Sequence, residues 1–301
     1  MMQTEFKALL DEKTRETERV IAAFLPKEEG HQKQIMEAMK YSFLAGGKRL
    51  RPMIMHQTYR MLGGQGEEIA PFMAAIEMIH SYSLVHDDLP AMDNDEYRRG
   101  RLTTWKVYGE DMAILAGDGL LNYAYETALA AICDWSPDKQ IKGCRALSVL
   151  AGKAGIYGMV GGQTVDVLGE KADAISEEEL LYIHENKTAA LLEASMMVGA
   201  ILAGADANTV SSLELCAKKI GLAFQIQDDI LDITGTAEEL GKPIGSDEKN
   251  HKQTYVSMHG LEYAGERVAD LTAEAVQLLD ELPGEKEFLR ALLLSLVKRT
   301  K

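Results

Sequence analysis

Apolar residues in this chain recur at helical spacing, and clean alternation with a period of two is hard to find. The stretch 71–89 opens on Pro71, suited to a first helical turn, and is apolar on several faces, as a buried helix is. Ser176-Glu177-Glu178-Glu179 has capping-box spacing and leads into an apolar run reaching about Ala203. Residues 210–233 form another long helical pattern, 119–131 lie in an apolar helix, and Thr236-x-x-Glu239 is a second capping box. Glycine, proline and polar clusters break the pattern at 63–66, 90–103, 135–137, 204–208, 241–250 and 283–284. None of these intervals has the composition of an interdomain linker, and no fixed-period repeat occurs. The pattern predicts an all-α fold with residues 1–301 in a single domain of largely buried helices.

Charge narrows the partners. The formal net charge is −15, the wrong sign for nucleic acid or for a cationic surface that hugs membranes. Apolar stretches such as 194–205 contain Ser and Gly and are too short to span a bilayer. The first thirteen residues are polar and lack the apolar core of a secretory signal. Cys133, Cys144 and Cys216 cannot all pair and form no C-x-x-C, so they read as reduced thiols. The expectation is a soluble, cytoplasmic protein with no nucleic-acid partner and no stable membrane insertion.

Against that background the local clusters stand out. Asp87-Asp88-Leu89-Pro90-Ala91-Met92-Asp93 and Asp228-Asp229-Ile230-Leu231-Asp232 each close a strongly apolar helix. Carboxylates there are costly unless cations offset them. Asp228 and Asp232 share a helical face with Asp229 beside them, and like charges at that spacing repel, so a cation is expected between them. Pro90 cannot donate to the His86 carbonyl, so the helix bulges or ends there, a route by which Asp93 returns toward Asp87. All-oxygen donors without a nearby Cys suit Mg²⁺, held through carboxylates, waters and substrate phosphates.

Cations cluster too. Gly46-Gly47-Lys48-Arg49-Leu50-Arg51-Pro52 packs three behind two glycines, and Arg98-Arg99-Gly100-Arg101 follows the first acidic motif. Lys187-Thr188 interrupts an apolar helix, and Lys242-Pro243 follows the second motif. Arg pairs bidentately with phosphate oxygens and Lys acts as a point charge, so the interleaved clusters read as a diphosphate site. No P-loop occurs, which disfavours nucleotide phosphoryl transfer of that type.

These motifs together resemble the trans-isoprenyl diphosphate synthases, most nearly the bacterial farnesyl type. The likeness rests on residues 46–52, 77–100, 161–163, 187–188, 224–229 and 241–247, in that order along nearly the whole chain. It implies an isoprenoid-synthase-type helical bundle around a central cavity, and usually a homodimer. It implies that Asp87, Asp88, Asp93, Asp228, Asp229 and Asp232 bind Mg²⁺, three ions with substrate present. By the same resemblance Arg98 contacts the allylic diphosphate, and Lys48, Arg51, His80 and Arg99 hold isopentenyl diphosphate. Lys187, Thr188, Gln225 and Lys242 line the allylic side. Asp87, Asp88, Asp93, Arg98, Lys187, Asp228 and Lys242 form the catalytic set. No side-chain base is needed if the departing diphosphate takes the proton, and His86 reads as a packing residue.

In this family chain length is set by residues deep to the first aspartates. Ser83 lies one turn below Asp87 and Tyr82 one residue further, and five helical residues cover roughly 7–8 Å, one or two isoprene units. A bulky Tyr82, with two extra residues in D-D-x-x-x-x-D, resembles the bacterial C15 producers, which implies a C15 product over C20. A terpene cyclase would leave the isopentenyl set superfluous, and a non-catalytic partner subunit would have damaged aspartate motifs. A di-iron carboxylate bundle matches Glu77-x-x-His80 and Glu248-x-x-His251 in form but leaves the cations unexplained.

Overall fold

The computed structural model describes residues 3–172, 174–235 and 253–298, most of them helical. They gather into two units, Met1–His56 with Gln65–Leu147, and Gln57–Gly64 with Ser148–Lys301.

The first unit contains α1 (Gln3–Ala22), α2 (Lys33–Phe43), the start of α3 (Leu50–Met61), α4 (Ala70–Asp87), strands β1 (Tyr97–Arg98) and β2 (Arg101–Leu102), α5 (Thr104–Tyr108), α6 (Glu110–Cys133) and most of α7 (Pro137–Ala154). Helix α4 is buried nearly all round and packs on α1, α2 and α6. Phe72, Ile76, Met78 and Ile79 are fully enclosed, each contributing about 1.5–3 kcal/mol. The buried stripe of α6 is mostly small: Ala113, Ala116, Gly117, Leu120, Ala124, Ala128, Ile132. Small residues at a three-to-four spacing let the backbones of α4 and α6 approach closely. The β-hairpin falls in the predicted break 90–103. Arg99 and Gly100 take φ of 53° and 75°, as the two central residues of a type I′ turn require.

The second unit contains the rest of α3 and α7, then α8 (Met159–Gly169), α9 (Glu177–Ile183), a π-helical turn His184–Ala189, α10 (Ala190–Ala203), α11 (Ala207–Thr234), α12 (Tyr255–His259), α13 (Leu261–Asp280) and α14 (Glu287–Val297). The capping box at Ser176 forms as expected. Glu179 N–H donates to Ser176 Oγ at 3.2 Å, and Ser176 N–H donates to Glu179 Oε2 at 2.8 Å. The box at 236–239 lies outside the described residues. The apolar run to Ala203 is helical throughout, but its middle is π rather than α. Helix α10 is enclosed on nearly every side and packs on α11, which itself packs on α13. The three cysteines are free thiols, Cys216 buried and the other two exposed. Among the described residues no helix is long and apolar enough to cross a membrane.

Candidate active site

Backbone chemistry sets the end of α4. Without an N–H on Pro90, the His86 carbonyl accepts instead from Leu89 N–H at 3.2 Å, and the helix stops. Met92 and Asn94 both donate to the Leu89 carbonyl, at 2.9 and 3.1 Å, with Asn94 at φ 54°. The turn so formed carries Asp93 back, and its N–H donates to the Asp87 carbonyl at 2.8 Å. Asp87 and Asp93 are thus joined across the turn. Asp88 faces inward and is 3% exposed. Arg98, at the end of β1, reaches one of its oxygens, Oδ1, with Nε at 2.7 Å and Nη2 at 2.6 Å. Burial raises the Asp88 pKa above the ordinary carboxylate value, against the pull of the Arg98 charge.

A cationic cradle lies further down the same unit. Gly46 and Gly47 take φ of 89° and 119°, which brings the Arg99 guanidinium over Gly47 and onto the Gly46 carbonyl. A Cβ on Gly47 would occupy the space of that guanidinium. Arg51 Nη1 lies 3.3 Å from His80 Nε2. Burial holds the His80 pKa well below its ordinary 6.5, and the charges of Arg51, Arg99, Arg98 and Arg49 press it further down. His80 is therefore neutral, with Nε2 free to accept from Arg51. The buried Nε of Arg51 has no hydrogen-bond partner. Neither Arg51 nor Arg99 forms an ion pair among the described residues. Two guanidinium forks beside a neutral imidazole make a site for a polyanion with several acceptor oxygens. Lys48 sits exposed at its edge.

In the second unit the π turn presents Lys187 and Thr188, both half-buried. Gly162 of α8 lies so close beneath it that a Cβ would run into the Lys187 backbone nitrogen. Lys187 Nζ is 2.5 Å from Asp166 Oδ2. Gln225, Asp228, Asp229 and Asp232 follow along α11, the first three half-buried and Asp232 2% exposed. Asp229 Oδ2 accepts from the Tyr255 N–H at 2.8 Å, tying α11 to the first residue of α12. Lys242 lies outside the described residues, as do Glu248 and His251. Among the described residues no group of three or more His, Cys, Asp and Glu side chains is placed to hold a metal ion.

The sequence matches the polyprenyl synthetase family over residues 32–289. The chain belongs to that family. It is 45% identical over 269 residues to farnesyl diphosphate synthase of Geobacillus stearothermophilus, covering 89% of each chain. It is 43% identical to the chloroplastic geranylgeranyl pyrophosphate synthase of Capsicum annuum, over 93% of this chain and 75% of that one. Its fold superposes on geranylgeranyl pyrophosphate synthetase from Pyrococcus horikoshii with a TM-score of 0.87, at 32% identity and 99% coverage of both.

Other side chains of this polyprenyl synthetase have parts that sequence did not separate. Arg49, between Lys48 and Arg51, turns inward instead of joining the cradle. It donates to Glu77 at 2.7 Å, to the Phe43 carbonyl at 2.8 Å and to Glu18 at 3.3 Å. Glu77 is thereby committed to Arg49, which removes the carboxylate of the Glu77-x-x-His80 iron reading. His86 donates from Nε2 to the Ile114 carbonyl at 3.1 Å, the packing role expected of it. Tyr82 is 6% exposed, and burial, with Tyr125 and Asp87 adding, pushes its pKa to about 12. Ser83 is half-buried and donates to the His80 carbonyl at 3.0 Å.

Proposed function

We propose that this single-domain synthetase condenses isopentenyl diphosphate with dimethylallyl and geranyl diphosphate to give farnesyl diphosphate, C15. The observation that carries the reading is the placement of two sites on one helix. His80, in the guanidinium cradle, and Asp87, in the aspartate turn, lie seven residues apart on α4, two turns or about 10 Å. The cradle and the aspartate turn therefore lie along one face of α4, about two isoprene units apart.

In this reading Lys48, Arg51, His80 and Arg99 hold the diphosphate of isopentenyl diphosphate. Arg98, Lys187, Thr188, Gln225 and Lys242 take the allylic substrate. The allylic C1–O bond breaks with its electron pair leaving on diphosphate, and guanidinium and ammonium groups already in place stabilise that charge. The isopentenyl double bond forms the new C–C bond at C1, and the proton lost goes to a diphosphate oxygen. Apolar walls keep water from the allylic cation. The donor set is all carboxylate, which fits a cation that keeps waters and phosphate oxygens in its shell. Mg²⁺ at Asp87, Asp88, Asp93, Asp228, Asp229 and Asp232, three ions in all, would supply further neutralisation of diphosphate. Asp88 already carries the Arg98 guanidinium, so a cation there would share that carboxylate with the arginine.

Tyr82 floors the hydrocarbon pocket and favours C15; the similarity to geranylgeranyl synthases keeps C20 as the second reading. The exposed Ile114, Leu115 and Leu129 of α6 support a homodimer through that helix, and a cytoplasmic location follows the same reading. The test is incubation with labelled isopentenyl diphosphate, dimethylallyl or geranyl diphosphate, and Mg²⁺, reading product length. Absence of product from both pairs would refute the function. A C20 main product would refute the length.

A further inference from the structure

The floor residue does not stand alone. Tyr82 meets the ring of His86 edge to face, with centroids 5.7 Å apart and planes at 80°. His86 is held from the other side. Its Nε2 donates to the Ile114 carbonyl of α6 at 3.1 Å, and its ring lies directly over Gly117 of the same helix. A Cβ built on Gly117 would fall within the imidazole. The ring thus fills a slot between α4 and α6 that exists because residue 117 carries no side chain. Tyr82 packs against what fills it.

We propose that His86 and Gly117 are specificity-determining residues that act through Tyr82, fixing the ring that limits product length. The proposal rests on the reading of Tyr82 as the pocket floor. A tyrosine has two rotatable side-chain bonds and stays put only where its neighbours leave no second well. With His86 in the slot, the phenol ring has the imidazole against it. With the slot empty, an opening the size of an imidazole lies beside the ring, and the ring can swing into it. The floor then drops toward α6 and a longer chain is accommodated. His86 touches no reacting atom on this account.

The experiment uses the full chain with isopentenyl diphosphate, geranyl diphosphate and Mg²⁺, and reads the C20:C15 ratio for Tyr82→Ala, His86→Ala, His86→Gln and the Tyr82→Ala/His86→Ala double variant. Thermal unfolding is followed alongside. The ratio is expected to rise at least about fivefold in His86→Ala, an effect of the size that pocket contacts carry in discriminating substrates. The double variant is expected to match Tyr82→Ala, because His86 has nothing left to act on. His86→Gln keeps an N–H donor of similar reach and is expected to retain the parent ratio. A lengthened product in Tyr82→Ala with no change in His86→Ala would overturn the proposal and leave the floor intact. Shifts that add in the double variant would overturn it too. No change in Tyr82→Ala would overturn the floor reading and the proposal together. Should His86→Ala not fold, Gly117→Ala displaces the imidazole while keeping every other group. Its ratio is expected to change by at least about threefold, and an unchanged ratio would again overturn the proposal.

Discussion

Arg98 places two guanidinium nitrogens on a single oxygen of Asp88, Nε at 2.7 Å and Nη2 at 2.6 Å. The pair fastens the β-hairpin to the end of α4, and so positions an arginine assigned to the allylic diphosphate. Removing the arginine leaves a carboxylate that is nearly enclosed, on a partner whose side chain is about a third exposed. Arg98→Ala is expected to cost about 1–3 kcal/mol, less than a wholly buried pair would. Adding Asp88→Asn is expected to restore most of that stability and none of the allylic diphosphate affinity. Urea unfolding and steady-state KM for geranyl diphosphate check the two halves. Recovery of both together would contradict the assignment of Arg98.

Arg49 and Glu77 form the more deeply buried pair, with side chains 1% and 3% exposed. Glu77→Ala leaves the buried Arg49 guanidinium with only Glu18 and the Phe43 carbonyl, and is expected to cost about 3–5 kcal/mol. Replacing both by apolar residues of similar size, Arg49→Met with Glu77→Leu, is expected to bring the loss below about 2 kcal/mol. Equilibrium unfolding in urea tests this. An equal loss in the single and double variants would show that the pair is not what stabilises the site.

Gly162 and the π turn make a prediction about a methyl group. Gly162→Ala presses against the Lys187 backbone and is expected to cost about 1–3 kcal/mol and to lower kcat by roughly tenfold or more. Gly152, in α7, has open space where its Cβ would be. Gly152→Ala is expected to be neutral or to stabilise by about 0.5–1 kcal/mol, with activity unchanged. Differential scanning calorimetry and turnover on geranyl diphosphate distinguish the two.

Stability should fall in mild acid. Burial holds the His184 imidazole at about 4, below its ordinary 6.5. The unfolded chain takes up a proton near 6.5, and the native protein does not until about 4. The unfolded state therefore binds more protons across that window, and stability is lost as pH drops through it, by roughly 2–4 kcal/mol for this one group. His80, also lowered, acts in the same direction. His184→Leu is expected to flatten the slope between pH 6.5 and 4.5 in urea unfolding. The same slope in parent and variant would place the acid sensitivity elsewhere.

How much of this was legible in sequence depended on how local the cause was. The stop of α4 followed from Pro90, and the return of Asp93 from the turn that stop forces. The cap at Ser176 needed only residues within one turn. The three cations within 48–51 look alike in sequence, because what separates Arg49 from Arg51 is Glu77, 28 residues from Arg49. The hairpin has no sequence signal, because Arg99-Gly100 lacks the Asn-Gly or Asp-Gly signature of its turn type. The π turn has no sequence signature of its own. Its companions were visible as Gly161-Gly162-Gln163 and Lys187-Thr188, but not that one lies beneath the other.

A π turn holds one residue more than the α-helix on either side needs. The core faces of α9 and α10 would keep their alignment if that residue were absent, since a plain helix would connect them equally well. What would change is the direction in which Lys187 and Thr188 point. The six residues His184–Ala189 thus set the direction of Lys187 and Thr188 without interrupting the helix. Gly162 lies beneath Lys187 and Gly221 against Ala189, with no room for a side chain at either place, so the turn's extra residue is accommodated by two glycines on neighbouring helices.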